Sequence, residues 1–393
     1  MKHNLIRSDK TIWKTYPTAI AKDMDGYLLS LLAPTHMAPT ICSQRPLALE
    51  LEYLDAPTFL SFLVGASLDA QGLELALGRF LSWLDQFQAI THQTLGTYIR
   101  LTDFHFENFL YNGVTIYGLD FEQWEQGTLA DNYISLLSWL CLYDTANQPL
   151  LQQGFEQLLP AVAQRLGLDQ ATVQTLAQQE IQRIHTRRTS RKKRTQTTAV
   201  LMAGGASSRM GTPKAHLPIG RYCFAECLLY TLRQFDQCFI SANEGFTEFG
   251  LPIIPDKVQN IGPLGGIYTA LQTADTPYVL VVPCDCPLLS LEMIEALFSG
   301  LEQGCSCVLS VMGGRINPLF AIYKKTLLPT IEAQIKTGHY SVLRCCAQAA
   351  YVPIEIDSAL VNINTPEAYE ALLVMDTQSC LPYTTFLEKG LWP

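Results

Sequence analysis

The chain has 393 residues, a formal net charge of −9, 48% hydrophobic residues and only 16% charged ones. That length exceeds the usual size of one domain, so two domains with real cores are the default. The acidic balance argues against a nucleic-acid partner, no run of 18 apolar residues suggests a membrane span, and the polar start Met1-Lys2-His3-Asn4 does not read as a secretory leader. A cytoplasmic location is therefore expected. The 12 cysteines include no C-x-x-C pair and read as reduced, mostly buried thiols.

In chain order, Thr11–Tyr16 reads as a strand carrying Lys14, and Asp25 precedes the apolar run Tyr27–Leu32. Leu49–Leu54 reads as another strand. Next comes Leu101–Leu110, which holds Asp103, His105 and Asn108, and then Val114–Glu122, which holds Asp120. Asn112-Gly113 between these runs predicts a hairpin. Such a hairpin returns Asp120 towards Asp103 and Asn108. Two carboxylates and an amide are the set that kinase-type phosphoryl transfer requires, one to take a hydroxyl proton and two to hold magnesium. Helical periodicity follows over 130–142 and 151–166. A further helix is expected over 168–184, with Leu166-Gly167-Leu168-Asp169 as a break and Asp169 as its N-cap.

The pattern D-x-H-x-x-N followed by D-F-E resembles the aminoglycoside and choline kinase-like phosphotransferases, including lipopolysaccharide kinase relatives. The resemblance implies an α+β kinase-like domain over 1–184, with Asp103 as base and Asn108 and Asp120 as metal ligands. It makes Lys14 the anchor of ATP phosphates, Asp25 the partner of that lysine, and 49–54 the hinge strand. His105 would be structural, and Glu122 would extend the metal-side network. One departure is large. Only 13 residues precede Lys14, and no glycine occurs before Gly26. A truncated N-lobe without a glycine-rich phosphate loop is expected. Three readings stay open: a scaffold that folds without catalysing, an active small-molecule kinase, and a chance likeness.

Residues 183–194 carry seven basic side chains and no acid, and 185–197 reads as a solvated basic linker between two acidic domains. Beyond it, Thr198–Met202 reads as a strand that feeds Ala203-Gly204-Gly205, with Arg209, Gly211 and Lys214 following. Glycines let the backbone approach an anion, and the arginine and lysine supply charge for a polyphosphate. The loop is neither a G-x-G-x-x-G fingerprint nor a Walker loop. Alone it also reads as a plain strand-to-helix turn. A helix is expected around 222–235, a strand at 237–241 with Asn243 at its exit, and a short strand at 251–254 before Asp256. A second glycine-rich loop, 262–266, contains Gly265 and precedes a helix over 264–273. The buried strand 278–282 runs into Asp285, and 290–300 reads as a helix. This alternation predicts an α/β domain, doubly wound on a mostly parallel sheet. Asp285 then sits where open α/β sheets bind ligands. Further along lie Gly314–Pro318 and Asn362-Ile363-Asn364-Thr365-Pro366. The expected domain covers 198–376, with a tail over 377–393.

These signals, in this order, resemble the molybdenum cofactor guanylyltransferases, whose MobA-like nucleotidyltransferase loop has the form L-x-G-G-x-S-x-R-M-G-x-x-K. The resemblance implies transfer of GMP from GTP to molybdopterin with Mg2+, and a molybdopterin-delivery or molybdoenzyme maturation protein as partner. It places Arg209 and Lys214 on the polyphosphate and Asp285 on the metal. Met202, Ala203, Gly204, Gly205 and Gly265 would line the nucleotide. Asn243 and Asp256 would read the base, and Asn362 and Asn364 would line the pterin side. Cytidylyl or adenylyl transfer to a related phosphorylated acceptor, a bifunctional enzyme with an active kinase domain, and a non-catalytic nucleotide-binding regulator are the alternatives.

Overall fold

The computed structural model describes residues 5–8, 10–204, 213–302, 304–356, 363 and 365–374. The chain divides into two compact units, with the division between Arg187 and Arg188.

Unit 1 opens with β1 (Leu5–Arg7), β2 (Thr11–Thr15), α1 (Ala19–Leu32), β3 (Ile41–Arg45) and β4 (Ala48–Glu52). The four strands form an antiparallel sheet in the order β1-β2-β4-β3. Thr18 starts α1, its hydroxyl accepting from the Ala21 N–H at 3.1 Å. A helical portion follows: α2 (Phe59–Leu63) and α3 (Ala70–Leu95), then β5 (Tyr98–Leu101), β6 (Phe109–Tyr111), β7 (Ile116–Gly118) and β8 (Trp124–Gly127), then α4 (Asp131–Leu142), α5 (Gln148–Leu166) and α6 (Gln170–Thr195), whose residues from Arg188 onward belong to unit 2. Asp69 caps α3 through the Gly72 N–H, and Gly96 ends it in the left-handed conformation. Phe59, Phe80, Trp83, Phe87, Phe106 and Phe109 are buried around α3 and pack edge to face or stacked.

The expected hairpin is present, with β6 pairing antiparallel to β7 from Tyr111↔Ile116 to Phe109↔Gly118. Its connection is longer than a two-residue Asn-Gly turn. Asn112 Oδ1 accepts from the backbone N–H groups of both Val114 and Thr115, closing a four-residue loop.

The helix that begins beside Asp169 does not stop at Ile184. Asp169 Oδ1 caps it through the Thr172 N–H, as expected, but the helix continues to Thr195 through the segment read as a linker. Arg187 donates to the Thr102 carbonyl at 2.9 Å, while Arg194 pairs with Glu295 and Lys193 donates to the Phe298 carbonyl. Side chains that looked like a solvated charge run thus have specific partners, and those partners were invisible in the local sequence.

Unit 2 continues with β9 (Thr197–Met202), β10 (Pro218–Ile219), β11 (Tyr222–Cys223), α7 (Phe224–Leu232), β12 (Gln237–Ser241), β13 (Ile253–Ile254), α8 (Pro263–Thr273), β14 (Tyr278–Pro283) and α9 (Leu291–Phe298). The remaining elements are β15 (Cys307–Met312), β16 (Arg315–Lys324), α10 (Leu328–Lys336), α11 (Val342–Gln348), β17 (Tyr351–Glu355) and α12 (Pro366–Val374). Seven strands form one sheet in the order β13-β12-β9-β14-β16-β15-β17. All run in one direction except β16, which is antiparallel to both neighbours. The sheet is therefore mixed, although mostly parallel. The cause is local: Gly313 and Gly314, at φ 55° and 71°, make the tight turn that folds β16 back beside β15. Val279, Val281, Leu309 and Ala321 are fully buried in the core beneath α8 and α10.

Among the described residues, no helix is long and apolar enough to cross a membrane, and none of the described cysteines forms a disulfide. The expected tail over 377–393 lies outside the described residues.

Candidate functional site

In unit 1, Lys14 projects from near the end of β2. Its ammonium lies 2.7 Å from Asp25 Oδ2 on α1, 2.8 Å from Asp120 Oδ1 and 2.9 Å from Glu122 Oε1. Asp25 is wholly buried and is the hub of this network. It also accepts from the Tyr16 hydroxyl at 2.6 Å and from the Phe121 N–H at 2.7 Å. One carboxylate thereby joins β2, α1 and the segment after β7. Asp120 adopts φ 58°, in the left-handed region that aspartate enters more readily than most other non-glycine residues.

Asp103, Asn108 and Asp120 line one small hollow with Leu101, Leu119 and Phe121. The structure therefore brings together the three side chains that the hairpin was expected to gather. Asn108 donates to the Asp103 carbonyl at 2.9 Å, which ties the ends of that loop. His105 Nε2 approaches Asp103 Oδ1 at 3.7 Å. Three members of the Lys14 network were not assigned to it from sequence: Tyr16, and Asp120 and Glu122 as direct partners of the lysine. Only the alternation along β2 hinted that Lys14 and Tyr16 share a face.

Three carboxylates around one ammonium leave an excess of buried negative charge. Asp25, Asp120 and Glu122 offer oxygens within 4.8 Å of one another, a spacing that also suits a cation. Burial pushes the Glu122 carboxyl above its ordinary range. Lys14 opposes that rise, and Asp120 and Asp25 add to it. A carboxyl raised on folding binds its proton more tightly in the native state. Its stabilising effect is complete below the ordinary carboxylate range and is lost as pH rises through the raised value. Glu122→Gln should accordingly stabilise the protein at alkaline pH and do little at pH 4, read as the urea midpoint by tryptophan fluorescence across that range.

In unit 2, Met202, Ala203, Gly204, Asn243, Asp256 and Asp285 lie at or just past the carboxyl ends of parallel strands. The chain leaves β9 at Met202, and the N–H groups of Ala203 and Gly204 both donate to the Ser241 carbonyl at 3.0 Å. A Cβ on Gly204 would stand 3.3 Å from the Ala242 Cα, so only glycine passes easily. Lys214 Nζ lies 3.4 Å from Asp285 Oδ2, just past the end of β14. The β9/β14 boundary is where the strand order reverses, since β12 and β13 lie on one side of β9 and β14 on the other. Both side chains keep about a fifth of their surface open, 18% and 20%. The backbone of Asp285 is held in turn by the Ile363 N–H, which donates to its carbonyl at 2.9 Å.

Asn243 and Asp256 also meet. Asn243 Oδ1 accepts from the Asp256 N–H at 2.9 Å, so the oxygen end of this amide is committed to the loop. Burial pushes the Asp256 carboxyl up, against a hydrogen bond from Asn243. Gly265 lies directly beneath that loop, where a Cβ would meet the Val258 carbonyl oxygen at 2.8 Å. Gly205, Arg209, Asn362 and Asn364 lie outside the described residues.

Residues 199–370 match the profile of the MobA-like NTP transferase domain. The probable molybdenum cofactor guanylyltransferase of Carboxydothermus hydrogenoformans is 33% identical over 45% of this chain and 94% of its own length. The protein of the same name from Halalkalibacterium halodurans is 34% identical over 43% of this chain and 93% of its own length. The solved structure of molybdopterin-guanine dinucleotide biosynthesis protein A from Archaeoglobus fulgidus is 20% identical, covers 44% of this chain and 96% of that one, and superposes with a TM-score of 0.41.

Proposed function

Because the C-terminal half of the chain belongs to the MobA-like nucleotidyltransferase superfamily, we propose that unit 2 transfers GMP from GTP to molybdopterin and releases pyrophosphate. The observation that carries this reading is the Lys214–Asp285 pair at the switch point of the sheet. An ammonium there neutralises charge on the polyphosphate. Asp285 offers one partly open hard-oxygen ligand, which together with phosphate oxygens suits Mg2+. A bound magnesium ion would supply charge neutralisation of the leaving pyrophosphate. The terminal phosphate of the acceptor is already anionic and attacks the α-phosphorus directly, so catalysis rests on alignment and electrostatics. Arg209 would add a second cation. The carboxylate of Asp256 would accept from guanine N1–H and N2–H, donors that adenine and cytosine do not present in that arrangement. Titration of the full chain with nucleotides and Mg2+ is expected to rank GTP above ATP and CTP. Equal affinity for all three would remove the guanine reading, and a preference for CTP would support cytidylyl transfer instead.

For unit 1, we infer a kinase-like scaffold with weak or absent ATP turnover. Its support is the junction of Lys14 with Asp25, Asp120 and Glu122, since an ammonium shared among three carboxylates has little charge left for phosphates. Asp103, Asn108 and Asp120 keep the proton-accepting and metal-side chemistry of phosphoryl transfer. Asp103→Asn is expected to leave the GMP-transfer activity and GTP affinity of the full chain unchanged. Robust magnesium-dependent ATP turnover that disappears in this variant would overturn the scaffold reading in favour of a bifunctional enzyme.

A further inference from the structure

The loop after β13 is organised around the backbone of Asp256. The Asp256 N–H is held by Asn243 Oδ1, and its carbonyl accepts from Gln259 Nε2 at 3.0 Å. The same Nε2 reaches Asn243 Oδ1 at 3.4 Å. The next N–H, that of Lys257, donates to the buried Thr269 hydroxyl at 2.9 Å. Three successive polar groups of the main chain are thereby engaged by side chains. The loop then turns through Asn260 and Gly262, both at φ 63°. Beneath it, Gly265 leaves no room for a Cβ against the Val258 carbonyl. A segment held at so many points has little freedom left to lose when a ligand arrives.

Gln259 itself is exposed, so its amide does not serve the core. A carbonyl can only be met by the amino end of that amide, which fixes its orientation. We propose that Gln259 is a positioning residue for nucleobase selection: by fixing the Asp256 main chain it aims the Asp256 carboxylate so that the site takes a purine bearing a 2-amino group. This rests on the reading of unit 2 as a guanylyl-transferring site and names the atom that its selectivity turns on. Gln259 touches Asp256 rather than the nucleotide, so its effect falls on discrimination.

The test compares kcat/KM for GTP and ITP in the full chain, since inosine differs from guanosine only by lacking the 2-amino group. Wild type is expected to favour GTP by about tenfold or more, the effect of one hydrogen bond to a charged acceptor. Gln259→Ala should bring the ratio close to one, chiefly through KM for GTP. Gln259→Glu, of equal size but without the donor, should do the same. Gln259→Lys restores a donor at similar reach and should recover most of the ratio. Any general attraction of the added charge for nucleotides cancels in that ratio.

A wild type that does not distinguish GTP from ITP would overturn the role of Asp256 in base reading and this proposal with it. If wild type favours GTP and Asp256→Ala abolishes the preference while Gln259→Ala retains it in full, the guanylyl reading stands and the role of Gln259 falls. Equal loss in Gln259→Ala and Gln259→Lys would reduce Gln259 to a bulk loop contact and also overturn the proposal.

Discussion

Replacing Lys214 or Asp285 with alanine is expected to lower nucleotidyl transfer by about a hundredfold, because a charged contact made in a transition state commonly contributes a few kcal/mol. The two side chains stand 3.4 Å apart and both remain partly open. As an ion pair in the free protein they contribute only about 0–1 kcal/mol, so the urea midpoint should hardly move in either variant. The two losses should differ in kind. Asp285→Ala should raise the Mg2+ concentration needed for half-maximal rate, whereas Lys214→Ala should act mainly on kcat with Mg2+ dependence preserved. The double variant should lose less than the product of the single losses, because both residues act on one polyphosphate. Full turnover in either single variant would remove that residue from the site.

The second large effect is expected on stability, in unit 1. Lys14→Met takes the ammonium from among Asp25, Asp120 and Glu122 and leaves their carboxylates in a largely buried pocket. Removing one partner of a buried ion pair costs about 3–5 kcal/mol, far more than the pair contributes over an apolar substitute. In the wild type, burial lowers the affinity of Lys14 for its proton, but the three carboxylates outweigh it and hold the pKa above the usual lysine value. A group with a raised folded pKa stabilises at all pH values below its unfolded value, so the contribution of Lys14 is complete at neutral pH. In Lys14→Met the carboxylates recover stability only by taking up protons. The loss should therefore shrink as pH falls towards the carboxylate range. Trp13, Trp83, Trp124 and Trp139 lie in unit 1 and residues 188–380 contain no tryptophan, so fluorescence-detected urea unfolding of the full chain reports on unit 1 directly. A midpoint unchanged at pH 8 would mean that the network carries no stability.

The strands and helices around these sites were legible because their signals are local. Val279–Pro283 is apolar throughout, as a strand covered on both faces must be. Gly167 and Asp169 mark one helix end and the next helix start by backbone conformation and capping. The hairpin that gathers Asp103, Asn108 and Asp120 followed from Asn112-Gly113, although Asn112 closes a longer loop than the dipeptide suggested. The end of α6 was not legible. Seven positive charges look solvated when read along the chain, and the partners that hold Arg187, Arg194 and Lys193 lie about 85 to 105 positions away in sequence.

By itself, then, the sequence determined the class of the C-terminal half, a MobA-like nucleotidyltransferase domain, from glycines and cations after a first strand and a carboxylate after a later one. Such features depend on residue type and short spacing, which the chain states directly. Tertiary structure alone decided how charges are shared. It set three carboxylates on Lys14, turned β16 against the direction of its neighbours through two left-handed glycines, and placed Asn243 and Gln259 on the main chain of Asp256. Those outcomes depend on which atoms meet across long stretches of chain. Hydrogen bonds and burial act over a few ångströms, and spacing along the sequence carries no record of them.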